Sequence, residues 1–347
     1  MYKKLDNFFS EFDGVLLTSP HNMRYFSGFS GGEGAVLIQK SSRTLFTDSR
    51  YIEQAQNEVK DFEVVLWKGF TDLCSFIDGQ MLKKVAFEDG FLTVDLYNRL
   101  KERTKTDYIG KSNEIEKKRM IKTAYEIEKI KQAEGIGDKA FSHILGYIKE
   151  GVSERDISAE LEYFMKKQGA EKTSFDTIVI SGKKTSMPHG TPDDKKIEKG
   201  DFITLDFGCV FDGYCSDMTR TVVLGKATDK QKEIYDIVYE AQIAGLEAIK
   251  SGESCKNADK SARKIIEKAG YGQYFGHSLG HGVGLMIHEL PNLSPKSDII
   301  LEDNMVVSCE PGIYIPDFGG VRIEDLVVVS GEKCTVLSKS QKKLTEI

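Results

Sequence analysis

Apolar positions in the first hundred residues fall into short runs at 14–17, 35–38, 64–67 and 84–87, set between turn-forming and polar residues. Runs of that kind predict strands. Residues 50–59 and 93–103 carry a helical pattern instead, and the alternation predicts an α/β arrangement. The charged stretch 111–118 breaks the pattern and predicts a boundary, with domains at 1–118 and 119–347. Thr123 with Glu126 then reads as a capping box opening a long helix toward Lys149, stopped by Gly151, and Ser153 with Asp156 opens another. Strands are predicted near 177–181 and 202–207. Thr228 with Gln231 caps a further helix to about Lys250, and one more runs over about 254–269. Two helices and a hairpin, twice, predict an internal pseudo-repeat.

Composition changes this picture little. The 347 residues are 40% hydrophobic and 29% charged, which excludes gross disorder and is long for one core. The net charge of −6 with scattered bases gives no nucleic-acid footprint; Lys117-Lys118-Arg119 reads as a solvated face. No apolar run approaches the roughly 20 residues that span a bilayer, so no membrane partner is expected. The opening MYKKLDNFFSEFDG has acids inside any would-be apolar signal region, and the expected location is the cytoplasm. The Gly-rich stretch 27–35 lacks a helix-opening nucleotide fingerprint and reads as turn chemistry.

The six cysteines contain no C-x-x-C pair, which disfavours a zinc knuckle or redox dithiol. Strict alternation turns Cys209 away from Asp206 and sets Cys215 on the face of Asp217, so that pair should not bridge. Cys309 should point away from Glu310 as a small buried hydrophobe. Of the six histidines, His21 and His143 read as structural.

The chemistry concentrates in Asp206, Asp217, His281, Glu310 and Glu324. Asp206 and Asp217 flank the turn signal Phe211-Asp212-Gly213, and an unbulged hairpin would set them opposite each other, with Cβ atoms about 5 Å apart. Glu310 and Glu324 are symmetric about Asp317, inside Pro316-Asp317-Phe318-Gly319. Four carboxylates gathered without bases raise each other's pKa, so a stable arrangement needs divalent cations between them. His281, in a Gly-rich stretch flanked by His277 and His288, is the fifth donor. Four carboxylates and one imidazole form a hard set, fitting two divalent ions per chain, manganese first and cobalt or iron next, better than zinc. Two ions about 3.5 to 4 Å apart would lower the pKa of a shared water toward neutrality.

At these residues the chain resembles the pita-bread metallopeptidases, the family of methionine aminopeptidase, aminopeptidase P and prolidase. The resemblance covers roughly residues 120–345 and rests on five motifs in order: LDFG, SDMTR, GHGVGLMIHE, CEPGIY and GGVRIED. The upstream segment GVLLTSPHNMRYFSGFSGGEGAVLI resembles the family's creatinase-like N-terminal domain, through Asn22, Tyr25, Gly28 and Phe29. Creatinases share the fold but lack the metal ligands, all five of which are present here. The implied fold is an α/β creatinase-like domain followed by an α+β pita-bread catalytic domain. The resemblance also implies a homodimer.

Residue roles follow from the same resemblance. Glu310 would be both ligand and general base. His189, in MPHGTP, would be the family's flap histidine contacting substrate, and with His288 would stabilise the tetrahedral intermediate. His277 would line the proline pocket, with Tyr314 and Arg322 completing the substrate site one layer behind the ligands; the bland alternatives are that Tyr314 packs and Arg322 neutralises the acids. The implied reaction is hydrolysis of the bond preceding proline by an Xaa-Pro dipeptidase. Several prolidases place an Arg after HExP where HELPNLS has Asn292, so aminopeptidase P action on longer Xaa-Pro peptides is the alternative. A non-catalytic pita-bread interaction module is the remote one.

Overall fold

Six strands build the sheet of the N-terminal unit: β1 Gly14–Leu17, β2 Ala35–Gln39, β3 Arg43–Thr47, β4 Glu63–Leu66, β5 Lys84–Phe87 and β6 Asp107–Gly110. Their order is β4-β3-β2-β1-β5-β6. β1 runs antiparallel to β2 and parallel to β5, so the sheet is mixed. The computed structural model describes all 347 residues as two compact units, Met1–Arg119 and Met120–Ile347. The strands at 14–17 and 84–87 form as expected; β3 and β6 were not anticipated, because Lys40-Ser41-Ser42 carries no strong turn signal between β2 and β3.

The charged stretch 111–118 is not an open linker. All of it but Lys111 folds into the helix Ser112–Met120, where Ile115 is buried. The creatinase-like motif residue Asn22 lies in a buried polar cluster of this unit. Glu88 accepts from the Thr18 and Ser19 amides (2.5 and 3.0 Å) and from Asn22 Nδ2 (2.5 Å), while Arg119 donates to Asn22 Oδ1. Burial pushes the Glu88 carboxyl up, and these donors offset much of that cost.

In the second unit the helices Ala124–Tyr147, Glu154–Lys167 and Asp229–Ala248 open on capping boxes at Thr123, Ser153 and Thr228. Such a cap contributes about 1 kcal/mol, whereas each fully buried aliphatic side chain contributes about 1.5 to 3 kcal/mol. The caps therefore fix where the helices begin, and packing holds them. The first two bury Ala133, Ile144 and Leu161 against Val179, Ile203 and Leu205. Asp229–Ala248 and Cys255–Lys268 bury Val238, Ala258 and Ile266 around Val307 and Val327. The order helix, helix, strands thus repeats.

Each half contributes a hairpin. Phe202–Phe207 pairs with Met218–Val223 in a four-stranded sheet. Val306–Cys309 pairs with Asp325–Ser330 in a five-stranded one. No helix is long and apolar enough to cross a membrane. All six cysteines are free thiols, and Cys309 is buried with its Sγ toward the Gln242 carbonyl.

Candidate metal centre

The first hairpin corrects one expectation. Asp212 and Gly213 both have positive φ, 48° and 79°, which makes a two-residue turn of the type that matches strand twist. That centres the hairpin between them and gives the pairs Phe211↔Tyr214, Phe207↔Met218 and Asp206↔Thr219. Asp206 and Asp217 are therefore diagonal, not opposite. They keep the same face because side chains alternate with period two, so both carboxylates still line one cavity.

The second hairpin has the expected register. Ile315↔Gly319 through Gly312↔Arg322, then Cys309↔Asp325, share one centre at Asp317. Continuing the same count sets Glu310 against Glu324 between the two ladders. The Glu324 amide donates to the Thr219 carbonyl (3.1 Å), which joins this hairpin to the strand facing Asp206. His281 sits on the short strand Gly280–Gly282. A Cβ on Gly280 would lie 2.1 Å from the Ser308 carbonyl oxygen, so only glycine lets that strand approach.

These elements surround a cavity of about 420 Å³ lined by Asp206, Asp217, His281, Glu310 and Glu324 together with His189, His277, His288, Asn292 and Arg322. One donor atom each from Asp217, His281 and Glu324 lies within 4.8 Å of the others. His281 Nδ1 lies 3.2 Å from the Gly282 carbonyl, which can only accept, so the ring proton is assigned to Nδ1. The Nε2 lone pair then faces Asp217 Oδ2 at 3.6 Å and Glu310 Oε1 at 3.4 Å. Burial lowers the His281 pKa, so these are contacts of a neutral ring and not ion pairs.

A cation fits this arrangement. Burial and then the neighbouring carboxylates push Asp217 and Glu324 well above the usual carboxylate range, the cost a bound cation removes. Asp206 Oδ1 is buried with no hydrogen-bond partner. An imidazole held through its far nitrogen by a carbonyl is the usual pose of a metal-ligating histidine.

Behind the donors lies a chain of directed hydrogen bonds. Arg322 donates to Asp206 Oδ2 (2.5 Å), Thr219 Oγ1 (3.0 Å) and Tyr314 OH (2.9 Å), and Thr219 donates to Glu324 Oε2 (2.6 Å). His277 Nδ1 faces the Ser278 carbonyl (2.8 Å), so its Nε2 accepts from Tyr314 OH (2.8 Å). Tyr314, expected in the substrate site, is not among the lining residues. It stands behind His277, and burial pushes its hydroxyl up to about 12, keeping it a neutral donor. Both ring nitrogens of His277 are engaged, which leaves ring carbon edges for the cavity.

Several supports were not anticipated. Glu134 accepts from the Asp217 amide (3.3 Å) and from Ser338 Oγ (2.5 Å), and burial pushes it up to about 8. Arg220 pairs with Asp325 (2.7 Å) and donates to the Glu324 carbonyl. Ser308 donates to Glu310 Oε1 (3.0 Å). Thr219 was within reach of the sequence, lying two residues from Asp217 and so on its face. His143 stacks on Phe164 (4.2 Å) and contacts Glu160 (2.6 Å) away from the cavity.

Residues 128–331 match the profile of metallopeptidase family M24, and residues 9–121 match the creatinase/prolidase N-terminal domain. The Xaa-Pro dipeptidase of Pyrococcus furiosus is 41% identical, over 99% of this chain and 98% of that one. Among solved structures, an Xaa-Pro dipeptidase from Bacillus anthracis aligns with a TM-score of 0.97 at 47% identity, covering 100% of this chain and 99% of that one. An X-Pro aminopeptidase from Thermotoga maritima aligns at 0.92 with 39% identity, covering 99% of each. The chain belongs to metallopeptidase family M24: it is a metal-dependent peptidase whose pita-bread catalytic domain follows a creatinase/prolidase N-terminal domain.

Proposed function

We propose that this chain is an Xaa-Pro dipeptidase working with two divalent ions held by Asp206, Asp217, His281, Glu310 and Glu324, manganese first and cobalt or iron as alternatives. The observation that carries the reading is the shared cavity: a hard donor cluster with His189, His277 and His288 lining the same space, in a chain 41% and 47% identical to proteins named Xaa-Pro dipeptidase. When bound, the ions would supply Lewis acidity at the scissile carbonyl and a water of lowered pKa to attack it.

The protein's own groups have distinct tasks. Glu310 receives the proton of the attacking water, with its Oε1 held by the Ser308 hydroxyl (3.0 Å). His189 and His288, both exposed at the cavity mouth, donate to the oxygen that gains charge. His277 presents its carbon edge to the proline ring. Arg322 and Tyr314 hold Asp206 and His277 in place through the bonds described above.

A hydrolysis panel of Xaa-Pro, Xaa-Pro-Xaa and Xaa-Ala peptides, with added manganese or cobalt and after chelation, tests this. Cleavage of Xaa-Pro alone, lost on chelation, is the expected result. Full activity in preparations free of metal by elemental analysis would sink the reading. A second reading, aminopeptidase action on longer peptides, is favoured by one observation. Arg322 is the only Lys or Arg lining the cavity and is already bonded to Asp206 and Tyr314, so a dipeptide's terminal carboxylate meets no uncommitted guanidinium there. Cleavage of the longer peptides selects that reading, and cleavage of none sinks both.

Assembly and location belong to the same proposal. A homodimer is supported by the creatinase/prolidase N-terminal domain, and light scattering at micromolar concentration should give twice the 38.9 kDa chain mass; a fully active monomer would contradict it. A cytoplasmic location is supported by six unpaired cysteines, since thiols persist in reducing compartments.

A further inference from the structure

The segment 182–193 carries His189 to the cavity mouth, and a single buried carboxylate holds both of its limbs. Glu154, the first residue of its helix, is 0% exposed. Its Oε1 accepts from the Ser181 amide (2.7 Å) and hydroxyl (2.9 Å), just ahead of the segment. Its Oε2 accepts from Lys184 Nζ (2.6 Å) on the entering limb and from the Asp193 amide (3.3 Å) on the leaving one. Lys184 Nζ also donates to Asp193 Oδ2 (2.6 Å), so one ammonium bridges the two limbs. At the tip, Arg322 donates to the Pro188 carbonyl (3.4 and 3.5 Å), one residue before His189.

A buried ion pair of this kind adds little net stability, because desolvating the charges offsets their attraction. Apolar side chains of similar volume would hold the same space. What the charges add is direction: five hydrogen bonds from four donor groups converge on Glu154 and Asp193 from fixed positions, and each fails if the limbs slide. The Arg322 contact then ties the tip to the guanidinium that holds Asp206.

We infer that Glu154, Lys184 and Asp193 form a clamp that positions His189 for the reacting carbonyl. The inference rests on the role proposed above for His189. These are positioning residues: the clamp bonds leave the substrate to His189 and fix where its ring can reach. Misplacing a catalytic group by about 1 Å can lower the rate by about 100-fold.

The test is a pair of double-mutant cycles on an Xaa-Pro dipeptide with the metal-loaded enzyme. D193N removes an acid whose side chain is 55% exposed, so the fold should tolerate it; K184M removes the bridging ammonium. Each should lower kcat/KM by about 10- to 100-fold, mainly through kcat, with metal content unchanged and K184R recovering most of the loss. In an H189A background neither should add more than about twofold, as coupled residues are non-additive. Hydrogen exchange over 182–193 should speed up in D193N. An equal fold-loss in both backgrounds, or undiminished kcat/KM in folded D193N and K184M, overturns the clamp while His189 keeps its role. If H189A itself turns over at the wild-type rate, the role of His189 falls and the clamp with it.

Discussion

Glu310→Gln should abolish turnover and weaken metal binding together. Glu310 is partly buried in the donor cluster, 3.4 Å from His281 Nε2, and has two tasks in the proposed function. A general base alone is worth about 100- to 10,000-fold in rate, and removing one of four carboxylates also lowers the charge that attracts the ions. Activity should therefore drop by more than about 1,000-fold, and titration calorimetry should show weaker or substoichiometric manganese binding.

Stability separates these effects from simple unfolding. Without metal, burial raises the folded-state pKa values of Asp217, Glu310 and Glu324 above their ordinary 3.8 and 4.5. A raised acid binds more protons folded than unfolded, so its contribution is full below about pH 4 and is lost as pH rises through the folded value. The contribution of this cluster to the stability of metal-free protein should thus fall upward from about pH 4, and Glu310→Gln should lose less over that range than wild type. Added manganese should reverse the ranking, since a ligand at 100 times its Kd stabilises by about 2.7 kcal/mol. A variant with wild-type metal content and turnover would remove Glu310 from both roles.

His288→Ala should behave differently. Its ring lies 4.4 Å from that of His281, but it is the Nε2 of His281 that lies 3.6 Å from Asp217 and 3.4 Å from Glu310. Losing one donor to a developing oxyanion costs about 2.7 to 4 kcal/mol, or about 100- to 1,000-fold in kcat. Because His288 is exposed in the free enzyme, the lower end of that range is expected; a wet donor is worth less than a dry one. Metal content should stay at the wild-type level. If the variant instead lost its metal, His288 would be a ligand and the assignment of His281 would have to change.

What could be read from the chain depended on how local each signal was. The capping boxes at Thr123, Ser153 and Thr228 lie within four residues, and all three formed. The Glu310–Glu324 pairing followed from a turn cluster whose centre was correctly placed at Asp317. The Asp206–Asp217 pairing missed by two residues, because Asp212 takes a left-handed conformation and shares the turn with Gly213. Glu134 and Arg220 were out of reach for a different reason. Glu134 meets Ser338 across 204 positions and Arg220 meets Asp325 across 105, and nothing near either residue says that its charge will be buried and paired.

The hairpin centred on Asp317 also constrains how this gene can drift. Along Gly312–Ile315 and Gly319–Arg322 side chains alternate faces, and one inserted or deleted residue in the 316–318 turn that shifts their pairing would rotate Glu324 out of the cavity along with the rest of its strand. Substitutions there cost only local turn energy, whereas a change in length removes a ligand outright. Among functional relatives this turn should therefore vary in composition and hold its length, and in-frame indels recovered from random mutagenesis should be absent from it while loops outside the ligand register accept them.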